Sequence, residues 1–580
     1  MGILDRGIDL LRAGRNEEAA AYFQKMSEVE PKNAGVQRFL GKSYALLERR
    51  SEAAAAIEKA IAINPEQPMW LYKLLAENKL EYVYIDNARD LIPEKVFDIL
   101  SNPNSIEIAL GLDSPEAPVS TRGDGILGNK IICKAAMERK ITFISPYTGQ
   151  IVSTDYSLTH DAYYFQDDDF ILSFFSDWAN PFLFYQVYLL SSGTVIYGYL
   201  DTQSELHNYN KKPDSFMMYF ANLLKLNTVY KSQIKKYLNS PISNVVISNR
   251  NFKHLGHAIW NGLSAINPNL YKAFLNSEKP VFFDPQSSVL PNYKSGIMGF
   301  DSNLSQPVNS EEVLYNKNIF NLSIKANYVH ESTASQILRG ALYDLEADVI
   351  DEIKSFRRNF FPIVIIGLRC GTRAWEKQRE GYNEVIESVL NKHPEAGFII
   401  DGMNSIKTEV HSSHANIDMD EELNIANKLS MNRSNVISLI GESVNHSLVW
   451  GEIADCFVSP WGAGLAKYKW VNNIKGVVFS SKCVLEEKND LHIYDDDRYR
   501  ELAVKDIWLP AVFATNAEYN SIEEYKKVHP NGNGFYYQNF NVDSTKLSEV
   551  VLSYLDNIAK CSEELKYKSF KVLTYLEEGK

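Results

Sequence analysis

At 580 residues the chain exceeds what one hydrophobic core can organise, and its length predicts three or four domains. A hydrophobic fraction of 45% with 12% aromatic residues excludes a disordered chain. A net charge of −13 excludes a general nucleic-acid binder, which needs a basic face, but leaves room for a local basic pocket around an anionic ligand.

The first predicted elements are paired helices. Arg15-Asn-Glu-Glu-Ala-Ala-Ala-Tyr-Phe23 recurs as Arg49-Arg-Ser-Glu-Ala-Ala-Ala-Ala-Ile57, and Gly7, Pro31 and Val36 recur 34 positions on as Gly41, Pro65 and Trp70. That period is the length of a tetratricopeptide repeat. It fades after about two and a half units, so residues 1–100 are expected to form a short helical stack leaning on the adjoining domain. Such a segment suits protein binding or oligomerisation.

Residues 101–240 change character. Ser101-Asn-Pro-Asn and Asp113-Ser-Pro-Glu-Ala-Pro read as a linker, and the strand-like runs from Ile141 to Tyr199 predict a small antiparallel β domain. From 241 onward strands and helices alternate, the pattern of a parallel α/β fold. Two Rossmann-like units are expected, at 241–358 and 359–580, with a cleft between them. The fold class is therefore α/β, preceded by a helical repeat segment and a β-rich domain.

The chain opens directly into helical sequence without a charged-then-apolar leader, and its longest apolar run, Phe170 to Leu190, is broken by Asp177, Asn180 and Pro181. The five cysteines (Cys133, Cys370, Cys456, Cys483 and Cys561) show no CxxC spacing and suit a reducing compartment. A cytoplasmic protein is predicted, at most peripheral at the inner face of the membrane.

Three constellations carry chemistry. Asn251-Phe-Lys-His254-Leu-Gly-His257-Ala-Ile-Trp-Asn261 follows a strand and opens a helix, placing His257 and Asn261 on one helix face. His257 or His254 could take a proton from an acceptor hydroxyl, with Asn261 beside it in the cleft. The bland alternative is a helix-start histidine that only satisfies backbone groups. Next, Arg369 closes the apolar strand Phe361–Leu368, where a charge is costly unless paired or bound to an anion, and Arg373 follows four residues later. A pair with Glu376 is the structural alternative. Third, Gly462-Ala-Gly464 follows the apolar strand Cys456–Ser459 and starts a helix one turn before Lys467, a turn able to receive a phosphate. Upstream, Ser443 is a plausible N-cap beside His446, and Asp401 ends another strand. His411 and His414 lack a third ligand at fixed spacing, so no metal site is expected. No GxSxG, Walker A or HExxH motif occurs.

Together these motifs resemble bacterial glycosyltransferases of the two-Rossmann (GT-B) architecture, in particular family 61-type enzymes. The resemblance covers roughly 240–560 and rests on the Asn/His-rich motif at 251–257, the strand-end Arg369 and Gly462-Ala-Gly-Leu465. Trp461 stands where that pattern has a histidine or similar polar residue, and Ala466-Lys467 where it has Thr/Ala-Asn. The helical front end resembles that of protein O-GlcNAc transferases. The resemblance implies a metal-independent enzyme moving a sugar from a nucleotide sugar to a glycan or protein acceptor in bacterial surface polysaccharide or glycoprotein synthesis. Arg369, Arg373, Gly462, Gly464, Lys467, Ser443 and His446 would face the donor phosphates, Asp401 would line the cleft, and no cofactor is needed. Two other readings fit the same residues: a non-catalytic repeat scaffold with a degenerate sugar-binding module, and a GT-B-shaped nucleotide-sugar epimerase.

Overall fold

The computed structural model describes residues 3–112, 127–159, 161–177, 180–200, 214–248, 255–265, 281–283, 311–323, 329–404, 413–487, 506–530, 532 and 534–560. These divide into two compact units. The first runs to Ser248 and includes 281–283 and 311–323; the second comprises 255–265 and 329–560.

In the first unit, five helices (Ile3–Arg12, Asn16–Val29, Ala34–Leu46, Arg50–Ile63 and Met69–Lys79) form the repeat stack. The fifth has no repeat partner in sequence. Helix Asp214–Val229 takes that place, with Ala221 buried among Ile57, Leu71, Tyr72 and Leu75. The stack is thus closed by a helix from far along the chain, which meets the need of a short array for a neighbour.

The β-rich segment forms a five-stranded sheet in the order 81–84, 194–199, 180–189, 170–177, 162–165. Its first strand, which follows the repeats directly, pairs in parallel, so the sheet is not purely antiparallel. Ile141–Ile144 joins Ile151–Thr154 in a separate hairpin. Ser101-Asn-Pro-Asn, read as linker, instead joins two short helices, Glu94–Leu100 and Pro103–Ala109. Asn102 caps the second through its side chain and Pro103 takes its first turn, the one helical place where a missing N–H costs nothing. Three parallel strands, 319–323, 244–248 and 281–283, form a further sheet in this unit, which also holds the helices Leu127–Glu138, Lys231–Tyr237 and Glu311–Asn316.

The second unit is built on a six-stranded parallel sheet: β1 (Ile363–Gly367), β2 (Gly397–Asp401), β3 (Val436–Ser438), β4 (Cys456–Pro460), β5 (Gly476–Phe479) and β6 (Ile507–Trp508). The spatial order is β3-β2-β1-β4-β5-β6, that of the doubly wound dinucleotide-binding sheet. β1, β2, β4 and β5 are buried throughout, which is why they read as unbroken apolar runs. The sequence pattern predicts one helix over 335–356; Asp344-Leu345-Glu346 divides it into Glu331–Tyr343 and Ala347–Asn359. Both belong to this unit, through Asn445 Nδ2 donating to Asp344 and a buried pair between Arg357 and Asp455. No described helix is long and apolar enough to cross a membrane.

Candidate functional site

In a doubly wound sheet, the loops after the first and fourth strands diverge to opposite faces and leave a crevice at the carboxyl edge. Here the residues leaving β1 are Leu368-Arg369-Cys370-Gly371, and those leaving β4 are Trp461-Gly462-Ala463-Gly464. The two segments touch. A Cβ on Gly462 would sit 2.5 Å from Nη1 of Arg369, so only glycine lets the guanidinium lie against that turn. Arg369 is half-buried; its Nε donates to the Thr372 carbonyl (2.7 Å), while Gln378 brackets its backbone, accepting from its N–H (3.3 Å) and donating to its carbonyl (3.0 Å). Beside Gly464 there is open space, so a ligand can approach the backbone there.

Arg373 belongs to the same cluster. Its guanidinium carbon lies 4.8 Å from the Trp461 ring centre and 5.1 Å from that of Tyr537. Its φ of 59° is uncommon for a side chain of this size, and a strap from the C-terminal region holds it. Arg373 N–H donates to Tyr537 O, Ala374 N–H to Asn539 Oδ1, and Glu376 N–H to Phe540 O. Glu376 itself accepts from Asn541 rather than pairing with an arginine. No motif in the sequence marks Tyr537, which is about half exposed beside Arg373.

A second cluster lies at the end of β2, and it takes in Lys467. Lys467 lies on a π-helix, Ala466–Val471, and is buried. Its Nζ sits 2.6 Å from Asp401 Oδ2, 2.9 Å from Asn404 Oδ1 and 3.2 Å from Gly402 O. An ammonium has three N–H donors, and all three have acceptors inside the protein. Asp401 also accepts from Ser447 Oγ and Tyr468 Oη, each at 2.7 Å. Burial pushes the Tyr468 hydroxyl well up, keeping it a donor to that carboxylate. Lys467 and Asp401 therefore enter as a buried ion pair under the crevice floor. Ser443 caps helix Val444–Glu452 as expected, and its hydroxyl is 2.8 Å from His446 Nδ1. That helix also carries Ser447, tying His446 to the Asp401 cluster.

Glu422 links the two clusters, and the motifs singled out in the sequence do not include it. From helix Ser413–Ser430 its carboxylate accepts from Cys370 N–H (3.2 Å), after β1, and from Met403 N–H (2.6 Å), after β2. Burial pushes its carboxyl above the usual range, against those two donors, which favour the charged form. Between the ordinary carboxylate value and the raised one, the folded state holds a proton that the unfolded chain releases, so stability falls as pH rises through that window. The expected result is that wild type gains stability over Glu422→Gln as pH falls from neutrality towards the ordinary carboxylate range. Urea midpoints across that range check it; a constant difference would mean the carboxyl does not titrate there.

His254 lies outside the described residues. His257 and Asn261 lie on the helical segment 255–265, but their side chains are outside the description, as are those of His411 and His414. Among the described residues no cluster of three or more His, Cys, Asp or Glu could hold a metal.

Residues 10–77 match the tetratricopeptide-repeat family. No curated protein matches the chain. Among solved structures, the S. aureus MnaA–UDP co-structure aligns at 10% identity over 43% of this chain and 60% of its own length, with a TM-score of 0.18. The chain thus spans less than two thirds of that protein. A mutant Thermobaculum terrenum O-GlcNAc transferase aligns at 8% identity over 98% of this chain and 92% of its own, with a TM-score of 0.16. Both scores are too low to support a shared fold.

Proposed function

We propose that the second unit binds the diphosphate of a nucleotide sugar at the carboxyl edge between β1 and β4, and that the chain transfers the sugar to a glycan or protein acceptor. The carrying observation is the seat of Arg369 against Gly462 at the point where the strand order reverses. When the glycosidic bond to the diphosphate breaks, negative charge grows on the leaving phosphate. A guanidinium seated there by its Nε bond to the Thr372 carbonyl stabilises that charge, and needs no metal to do so. In this reading the second unit is the donor half of a GT-B enzyme. His257 or His254 takes the acceptor proton, and the repeats hold a protein acceptor or a partner.

The test is a thermal-shift panel of UDP, GDP, CMP and TDP with their sugars, with and without EDTA. A ligand at a hundred times its dissociation constant should stabilise the protein by about 2.7 kcal/mol. A selective shift that survives EDTA is expected; no shift with any nucleotide overturns the proposal.

A further inference from the structure

The first unit holds a partly open cavity of about 270 Å³ between one face of its five-stranded sheet and the helices Asp214–Val229, Lys231–Tyr237 and Glu311–Asn316. Ile171, Phe220, Leu223, Leu226 and Ile234 are buried and line it, and the exposed Asn227 marks where it meets solvent. Among the described residues, no charged side chain lines it. Two of its tyrosine hydroxyls are engaged elsewhere: Tyr315 donates to Leu158 O and Tyr164 to Asp169. A charged group would lose its hydration inside and meet no opposite charge among the described lining residues.

Protein cores tolerate few voids larger than a water molecule, and an apolar cavity of about 150 Å³ already binds benzene. The volume here is nearly twice that. Three of the lining rings are already engaged with aromatic rings, Tyr188 and Phe220 edge-on to each other at 5.6 Å and Tyr315 tilted against Tyr237 at 5.6 Å. The remaining wall is mostly leucine and isoleucine, which suits a chain better than a flat ring.

We propose that this cavity is a binding site for an alkyl chain, the hydrocarbon end of an amphiphile whose polar end stays in water beside Asn227. At about 30 Å³ for each water-sized group, it has room for about nine methylenes. The site is independent of the strand-end crevice in the second unit and of any nucleotide chemistry there.

Calorimetric titration of the full chain with n-alkanols from hexanol to dodecanol tests this. Affinity should tighten about fourfold per methylene, as burial of each CH₂ predicts, and level off near nine carbons. Leu223→Trp, which fills the floor, should weaken nonan-1-ol at least tenfold; Leu226→Phe serves the same purpose if the first variant does not fold. Absence of binding, affinity rising past dodecanol without a break, naphthalene binding more tightly than nonan-1-ol, or unchanged binding in the filled variant would each overturn the proposal. Once alkanol binding is seen, co-sedimentation with phosphatidylcholine vesicles that Leu223→Trp abolishes assigns the chain to a membrane lipid. Binding of alkanols without co-sedimentation assigns it to a soluble amphiphile.

Discussion

Arg369→Ala should weaken nucleotide-diphosphate binding by about 10- to 100-fold while leaving the folded state nearly as stable as wild type. A hydrogen bond to a charged group contributes about 1.5–3 kcal/mol, and each 1.4 kcal/mol is tenfold in affinity. Gly462→Ala offers a sharper test of the same seat. Its new methyl would sit 2.5 Å from Arg369 Nη1, the far end of a flexible side chain that can swing aside at little cost. The charge stays in the protein, but its position is lost. Gly462→Ala should therefore lose most of the affinity that Arg369→Ala loses. The double variant should be no weaker than Arg369→Ala alone, because both changes remove one interaction. Calorimetric titration with the best nucleotide of the panel reads all three. Wild-type affinity in Gly462→Ala would show that Arg369 does not act from this seat.

The two ends of that contact are legible in the sequence because buried parallel strands are written as apolar runs, and both Ile363–Gly367 and Cys456–Pro460 end in turn chemistry. What the residue order cannot supply is the neighbour relation. β1 and β4 are separated by two strand–helix units, and only their pairing, Val364 beside Cys456, brings Arg369 to Gly462. The burial of Lys467 is not legible for another reason. Its place one turn beyond Gly464 is correct, but the segment is a π-helix, whose wider turn changes the direction each residue faces. Glu422 does leave a signal in the sequence. It stands three, four and seven residues before Ile425, Ala426 and Leu429, all buried, so it is a carboxylate on the apolar stripe of its helix, unlike its exposed neighbours Asp420 and Glu421. In the first unit, five strand runs from Ile141 to Tyr199 are readable from alternation and turns, while Ile151–Thr154, the second strand of the hairpin, is not among them. The helix Asp214–Val229 closing the repeat stack is not, since the contact that defines it spans most of the unit.

Lys467→Met should destabilise the second unit by about 3–5 kcal/mol, the usual result of removing one partner from a buried ion pair. The variant leaves the Asp401 carboxylate buried with Ser447 and Tyr468 as its remaining donors, and leaves Asn404 Oδ1 and Gly402 O without the ammonium. Methionine fills nearly the same space, so little of the loss can be assigned to a cavity. Adding Asp401→Asn removes the stranded charge while keeping an acceptor for Tyr468. The double variant should therefore recover a large part of the loss, a coupling that two independent sites would not show. Urea unfolding of wild type, both single variants and the double variant measures it. The same proteins decide between the two roles the residue could have. A lysine that grips phosphate would give a Lys467→Met variant of ordinary stability with poor nucleotide affinity. The buried pair predicts the reverse order of effects, with stability falling first and affinity following only as the floor beneath Arg369 loosens.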